Sequence, residues 1–169
     1  MKREGETVDV RADFWEHLGP CKQKLYNYIQ KVLNFSVDAD DVFQDAVLRA
    51  FQYYGSYKVE KKFSTWLFAI AHNEMRKHLR KASRSAAQLN PDLAHVQVTG
   101  ENQETVREIY RLAERLKPRQ REVFFLLYDT GFTVEEISRI TGLKKGNIKF
   151  ILNQARNSLR AFFGERDGR

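Results

Sequence analysis

Apolar positions recur every three or four residues along most of the chain, and the strict alternation of strands is nearly absent. Leu25, Tyr28, Ile29, Val32 and Leu33 mark one amphipathic helix, and Val42, Ala46, Val47, Ala50 and Phe51 mark a second. The pattern breaks near Asn34-Phe35. Ser36 or Asp38 can cap the next helix, with acids in its first turn where the helix dipole favours them. Gly55 is placed to close that helix, and residues 57–63 read as a loop. Ser64 or Thr65 then caps a long helix running to about Ala82. Pro20 and Cys21 read as lying near a helix start. From residue 83 to 103 no period is sustained, and Ser, Asn, Pro, Gly and Gln are mixed, as in a linker. Helical periodicity resumes from Glu104, and Pro118 suits a first helical position. The pattern predicts an all-α protein: two small helical domains, 10–82 and 104–164, joined by a flexible linker over 83–103.

Composition narrows the class. Of 169 residues, 42% are apolar and 30% charged, which is globular rather than disordered usage. No apolar run approaches the roughly 18 residues of a membrane span, and MKREGETVDVR has no signal-peptide core. No membrane insertion and a cytoplasmic location are therefore expected. A lone Cys21 excludes an internal disulfide and a cysteine-built zinc site. His17, His72, His78 and His95 lack metal-ligand spacing, and Thr-Gly-Leu-Lys-Lys-Gly lacks the order of a phosphate-binding loop. No catalytic residue, metal or cofactor is expected, and the chain does not read as an enzyme.

Charge placement says more than the net +7. Residues 58–84 carry eight basic and two acidic side chains, and residues 143–160 carry five basic and none acidic. Two basic blocks suggest two contacts with one polyanion. In the second block, Thr133 to Lys149 reads as helix, tight turn at Gly142, then helix, which is the grammar of a helix-turn-helix. Ile137, Ile140, Leu143, Ile148 and Leu152 would form its small core. Lys144, Lys145, Asn147, Lys149, Phe150, Asn153 and Arg156 would face a DNA groove, where Lys and Arg reach guanine edges or phosphates and Asn can read adenine.

In the first block, Leu67, Phe68, Ala71, Met75 and Leu79 share the expected core side of one helix. Trp66, Ile70, Asn73, Lys77 and Arg80 share another side, flanked by Arg76 and Lys81. Aromatics grading into an amide and then cations, beside the Tyr57–Phe63 loop, suit stacking on unpaired bases. Against this basic background Asp38, Asp40, Asp41 and Asp45 stand out. Capping and dipole effects explain two acids. Asp41, Gln44 and Asp45 share a face, and spacing alone leaves open whether that face is solvated or meets a basic protein.

Asp40-Asp41-Val42-Phe43-Gln44-Asp45-Ala46-Val47-Leu48-Arg49-Ala50-Phe51, followed by Lys62-Phe63-Ser64-Thr65-Trp66-Leu67-Phe68-Ala69-Ile70-Ala71-His72-Asn73, resembles the second region of bacterial extracytoplasmic-function (ECF) RNA polymerase sigma factors. Pro118-Arg119-Gln120-Arg121-Glu122-Val123-Phe124 with the helix-turn-helix resembles their fourth region, so the likeness spans about 12–164. The resemblance implies a subunit that binds core RNA polymerase and promoter DNA, recognises a minus-ten and a minus-thirty-five element, and assists melting. It implies that Asp41, Gln44 and Asp45 contact the polymerase clamp. Arg49, Tyr57, Trp66, Ile70 and Asn73 would hold the unpaired minus-ten strand, and Arg76, Lys77 and Arg80 would follow the adjacent duplex. Lys149, Asn153 and Arg156 would serve the minus-thirty-five element. An anti-sigma factor is a further candidate partner. Phe150, Ile151 and Gln154 depart from the family's polar and basic pattern, and a recognition helix this apolar could also bind a protein. The competing reading is a helix-turn-helix regulator that acts without polymerase.

Overall fold

A computed structural model describes residues 10–34, 36, 38–85 and 103–167. Among these residues the chain forms seven α-helices and one short 3-10 turn, with no strand. Helix α1 spans Val10–Val32, α2 Ala39–Tyr53, and α3 Phe63–Ser85; a 3-10 turn, Tyr54–Ser56, follows α2. Helices α4 (Gln103–Ala113), α5 (Pro118–Tyr128), α6 (Val134–Thr141) and α7 (Lys145–Asp167) form the second unit.

The expected helix breaks occur, with local differences. Asn34 ends α1 in the left-handed region at φ 52°, which an Asn tolerates better than most residues. Asp38 precedes α2, but its side chain makes no capping hydrogen bond; it pairs instead with His78 Nε2 at 3.1 Å. Gly55 lies within the 3-10 turn rather than directly closing α2. Ser64 and Thr65 sit inside the first turn of α3, not at its cap, because the helix already begins at Phe63, whose ring is drawn into the core. Helix α3 also outruns the expected end at Ala82 and reaches Ser85; the rest of the expected linker, 86–102, lies outside the described residues.

Pro20 and Cys21 are in the middle of α1, not near a start. An interior proline costs about 3 kcal/mol. Phe14 and Leu18 before it, and Leu25, Tyr28 and Ile29 after it, are all buried, and burying one large apolar side chain contributes about 1.5–3 kcal/mol. Packing on both sides therefore outweighs the break.

The first unit packs α1, α2 and α3 together, and the second packs α5 against α6 and α7. The two units also dock, mainly through α3 on α6 and α1 on α5. Phe68 of α3 meets Phe132, in the α5–α6 loop, edge to face at 4.9 Å. Around this contact lies a polar set. Tyr28 Oη donates to Glu122 Oε1 at 3.3 Å, and His72 Nδ1 meets the same oxygen. Arg121, itself buried, donates from Nε to the Val32 carbonyl at 2.8 Å and from Nη1 to the Glu114 carbonyl at 2.9 Å. Lys31 reaches Asp129 at 2.6 Å. Burial, and secondarily Glu122, drives the Tyr28 hydroxyl pKa well up. Phe132→Ala removes the ring that fills this seam, and large-to-small changes of this kind cost about 3–5 kcal/mol. The expected result is undocking before unfolding, read as an increased radius of gyration in small-angle scattering. An unchanged radius would show that the polar set holds the units without the ring.

Candidate nucleic-acid interface

Two surfaces carry the sequence-derived DNA residues. On the first unit, Phe63 and Phe68 are buried as expected, and so are Leu67, Ala71 and Met75. Leu79 departs from the expected core: it is 39% exposed and lines a cavity of about 150 Å³ with Met75, Arg76, Arg119 and Leu143 at the junction of the units. Beside the core, Trp66 and Ile70 are half-buried and Asn73 is exposed. The Tyr57 ring sits 5.3 Å from Trp66 and stacks on Tyr54 at 5.8 Å. Its hydroxyl donates to the Lys61 carbonyl at 2.6 Å, pinning the loop. Burial, with Asp13 adding, raises the Tyr57 pKa, so the ring stays neutral. Beneath it, Tyr54 Oη donates to Asp13 at 2.6 Å. Tyr57, Trp66 and Ile70 thus form a fixed apolar wall with a free amide, Asn73, next to it.

The cations around this wall are unequal. Arg49 Nε binds Glu74 Oε1 at 3.2 Å, and Lys77 reaches the other oxygen of the same carboxylate at 3.5 Å. Arg76 is exposed but borders the junction cavity, and Arg80 is exposed. Lys62 spans the units to Glu136 at 2.9 Å. The Glu136 carboxyl lies below its ordinary pKa. Partial burial opposes this, but the Thr133 N–H and the Lys62 ammonium outweigh it.

On the second unit the helix-turn-helix is built as its sequence suggests. Thr133 Oγ1 accepts from the Glu136 N–H at 3.2 Å, while the Glu136 carboxylate accepts from the Thr133 N–H at 2.9 Å, a reciprocal N-terminal cap. Gly142 takes φ 71°, the left-handed conformation that releases α6 into the turn. Ser138 Oγ donates to the Leu143 carbonyl at 2.6 Å and secures that turn. Ile137, Ile140, Ile148 and Leu152 are buried as expected, and Leu143 is half-buried against them. Lys144, Lys145, Asn147, Lys149, Phe150, Asn153 and Arg156 are all exposed. Two of them are engaged: Lys145 with Glu135 at 2.7 Å, and Arg156 Nε with the Tyr128 hydroxyl at 2.8 Å. Ile151, singled out with Phe150 as an apolar departure, is only 8% exposed; it belongs to the core, so the helix surface is far less apolar than its sequence suggests.

A third face is acidic. Asp41, Gln44 and Asp45 are exposed on α2, and their side chains form no hydrogen bond or ion pair among the described residues. Asp40 differs, accepting from Gln30 at 2.8 Å. Among the described residues no group of His, Cys, Asp or Glu could hold a metal ion, and no helix is long and apolar enough to cross a membrane. The residues that sequence reasoning missed are Tyr28, Arg121, Glu122 and His72, which join the units. A buried histidine and a Glu in a helical run give no signal of their meeting, because the contact joins positions 50 residues apart.

Residues 19–85 match Sigma-70 region 2, and residues 106–159 match Sigma-70, region 4. The chain is 32% identical over 126 residues to the ECF RNA polymerase sigma factor EcfG of Rhodopseudomonas palustris, covering 73% of this chain and 70% of that protein. It is 28% identical over 142 residues to the ECF RNA polymerase sigma factor SigM of Mycobacterium tuberculosis, covering 84% and 72%. Among solved structures, the sigma factor RpoE in complex with the anti-sigma factor NepR from Bartonella quintana shares the fold with a TM-score of 0.80 at 23% identity, covering 90% of this chain and 97% of that one. CnrH, in complex with the cytosolic domain of CnrY, follows with a TM-score of 0.67 at 21% identity, covering 92% and 90%. Both sigma regions are present in order, each on the helical unit that carries its residues, and the chain belongs to the ECF RNA polymerase sigma factor family.

Proposed function

We propose that this chain binds core RNA polymerase, recognises a two-element promoter and assists its melting, acting in the cytoplasm as an initiation factor rather than an enzyme. The observation that carries the reading is the fixed Tyr57–Trp66 wall beside the exposed Asn73. Bases in a duplex are stacked on each other and cannot use such a wall, whereas an extruded base can stack on it while an amide meets its edge. Asp41, Gln44 and Asp45 serve as the polymerase contact: an acidic face on a basic DNA-binding protein repels DNA and suits a basic protein partner. Lys144, Lys145, Asn147, Lys149, Asn153 and Arg156 form the minus-thirty-five surface. Within it Lys145 and Arg156 must exchange an internal partner for DNA, while Lys149, Asn147 and Asn153 need not. Arg49 likewise acts on the minus-ten strand only after leaving Glu74, or else serves by orienting α3. An anti-sigma factor is a proposed partner, supported by the fold shared with RpoE, which was captured with one. A helix-turn-helix regulator working without polymerase would leave the region 2 match and the acidic face without a use.

Run-off transcription from a promoter library with purified core polymerase tests the proposal. Transcripts that require the added chain are expected; their absence, with core shown active alongside another sigma factor, would contradict it. Arg76, Lys77 and Arg80 are assigned to duplex phosphates, so single Ala changes should weaken promoter binding alike across sequences. Each cation taken off a phosphate should reduce the salt slope by roughly one unit. Lys77 should give the smallest change, since Glu74 already offsets part of its charge. An altered sequence preference at unchanged slope would show that these residues read bases.

A further inference from the structure

We propose that Phe150 makes helix α7 a reader of A·T pairs, its ring packing on the C5-methyl group of a thymine in the minus-thirty-five element. This rests on the reading that α7 enters the major groove. Phe150 is 62% exposed, more than any other aromatic side chain among the described residues that are large and apolar. Among the described residues it takes no part in the hydrophobic core, even at its margin. Its position on α7 is not forced by packing either. The turns around it give their inward places to Ile148, Ile151, Leu152 and Ala155, all buried, and leave Phe150 on the opposite side. An isolated ring on a helix surface exposes apolar area that water disfavours, at roughly 25 cal/mol per Å².

What surrounds the ring indicates what covers it. One turn before it on the helix are Gly146 and Asn147, and one turn after it are Asn153 and Gln154; all four are exposed. Nothing lies within 4 Å of where a Gly146 side chain would begin, so the ring is open on that flank. Lys144 and Lys149 supply positive charge at the margin, and residues 143–160 carry no acid. A basic margin around three amides and a phenyl ring suits a polyanion that presents hydrogen-bonding edges with an apolar group among them. The major groove of DNA is such a surface. Its apolar feature is the thymine methyl, and Asn or Gln pairs with the N6 and N7 edge of adenine. Two of the guanine-seeking groups are less available, because Lys145 is held by Glu135 and Arg156 by Tyr128, while Lys144 and Lys149 remain exposed at the margin, where phosphates lie. The strip of Asn147, Phe150, Asn153 and Gln154 is therefore chemically biased to adenine and thymine.

The test uses holoenzyme assembled with core polymerase and a duplex selected from a library randomised over the minus-thirty-five position. Each thymine is then replaced singly by deoxyuridine, which removes only the methyl group. The wild-type protein should lose about fourfold in affinity at one thymine, the value of one buried methylene-sized group. Phe150→Ser, on an exposed site that should not disturb folding, should bind the thymine and deoxyuridine duplexes equally. Lys149→Ala should weaken every duplex alike. If deoxyuridine has no effect at any position while Lys149→Ala still weakens binding, the methyl contact is wrong and the groove assignment stands. If Lys149→Ala and Lys144→Ala both leave duplex binding unchanged, the groove assignment itself fails. If Phe150→Ser spares DNA binding but weakens capture by core polymerase, the ring docks on protein and the inference is overturned.

Discussion

Charge reversal of Asp41 and Asp45 to lysine should abolish assembly with core RNA polymerase while leaving the protein folded. Both carboxylates are exposed and make no ion pair among the described residues, so little internal depends on them beyond the field at the start of α2 and the attraction of Asp45 for Arg49 one turn on. Asp41 lies in the first helical turn, where a favourable carboxylate contributes about 0.3–1 kcal/mol. Asp45 is one turn further and matters less. A fold loss of that size is small beside the effect on a charged interface, where placing like charges together costs several kcal/mol. Gel filtration with core polymerase should therefore show loss of co-elution at an unchanged circular-dichroism spectrum. Co-elution at wild-type affinity would remove the acidic face from the polymerase contact. Gln44→Ala is the milder companion and should weaken assembly without abolishing it.

The second large effect is expected at the minus-ten wall. Tyr57→Ala combined with Asn73→Ala should retain polymerase binding yet lose open-complex formation. Stacking on one base is worth about 1–3 kcal/mol, which is roughly a 5- to 150-fold loss for that step alone. Tyr57 needs a control because its ring also packs against Tyr54 and Phe63. Tyr57→Phe keeps the ring and loses only the hydrogen bond to the Lys61 carbonyl, so it should open promoters nearly as the wild type does. Asn73 is exposed, and Asn73→Ala should leave thermal stability unchanged. The binding deficit should appear on unpaired or bubble templates carrying the minus-ten sequence, and the opening deficit on duplex promoters, with duplex minus-thirty-five binding unaffected.

Much of this arrangement is legible in the order of residues alone. The helix-turn-helix is, because each of its signals is local. Thr133 and Glu136 cap within three residues of each other, Gly142 needs only its own φ, and Ile137, Ile140 and Ile148 follow one helical face. The wall of Trp66 and Ile70 is legible for the same reason, since four residues make one helical turn. Local rules misplace Leu79 and Ile151 because burial depends on what the neighbouring helix offers. Ile151 faces the second unit's core, whereas Leu79 reaches the junction cavity, where packing is incomplete. Pro20 misleads for a related reason: a local helix breaker is overruled by buried side chains on both flanks. The ion pairs that tie Arg49, Lys62 and Lys145 are invisible as well. Lys62 and Glu136 are 74 positions apart, and sequence periodicity carries no information at that range. The docking of the two units through Phe68, Phe132 and Glu122 belongs to the same class.

Permanganate footprinting of unpaired thymines on a linear duplex promoter tests the central claim most directly. With core polymerase and this chain together, thymines of the minus-ten region should become reactive, and neither component alone should expose them. Tyr57→Ala/Asn73→Ala should abolish that reactivity, and a pre-melted template should partly restore transcription. Duplex binding by this chain with no thymine reactivity in the presence of active core polymerase would contradict the account and reinstate a regulator that binds DNA without opening it.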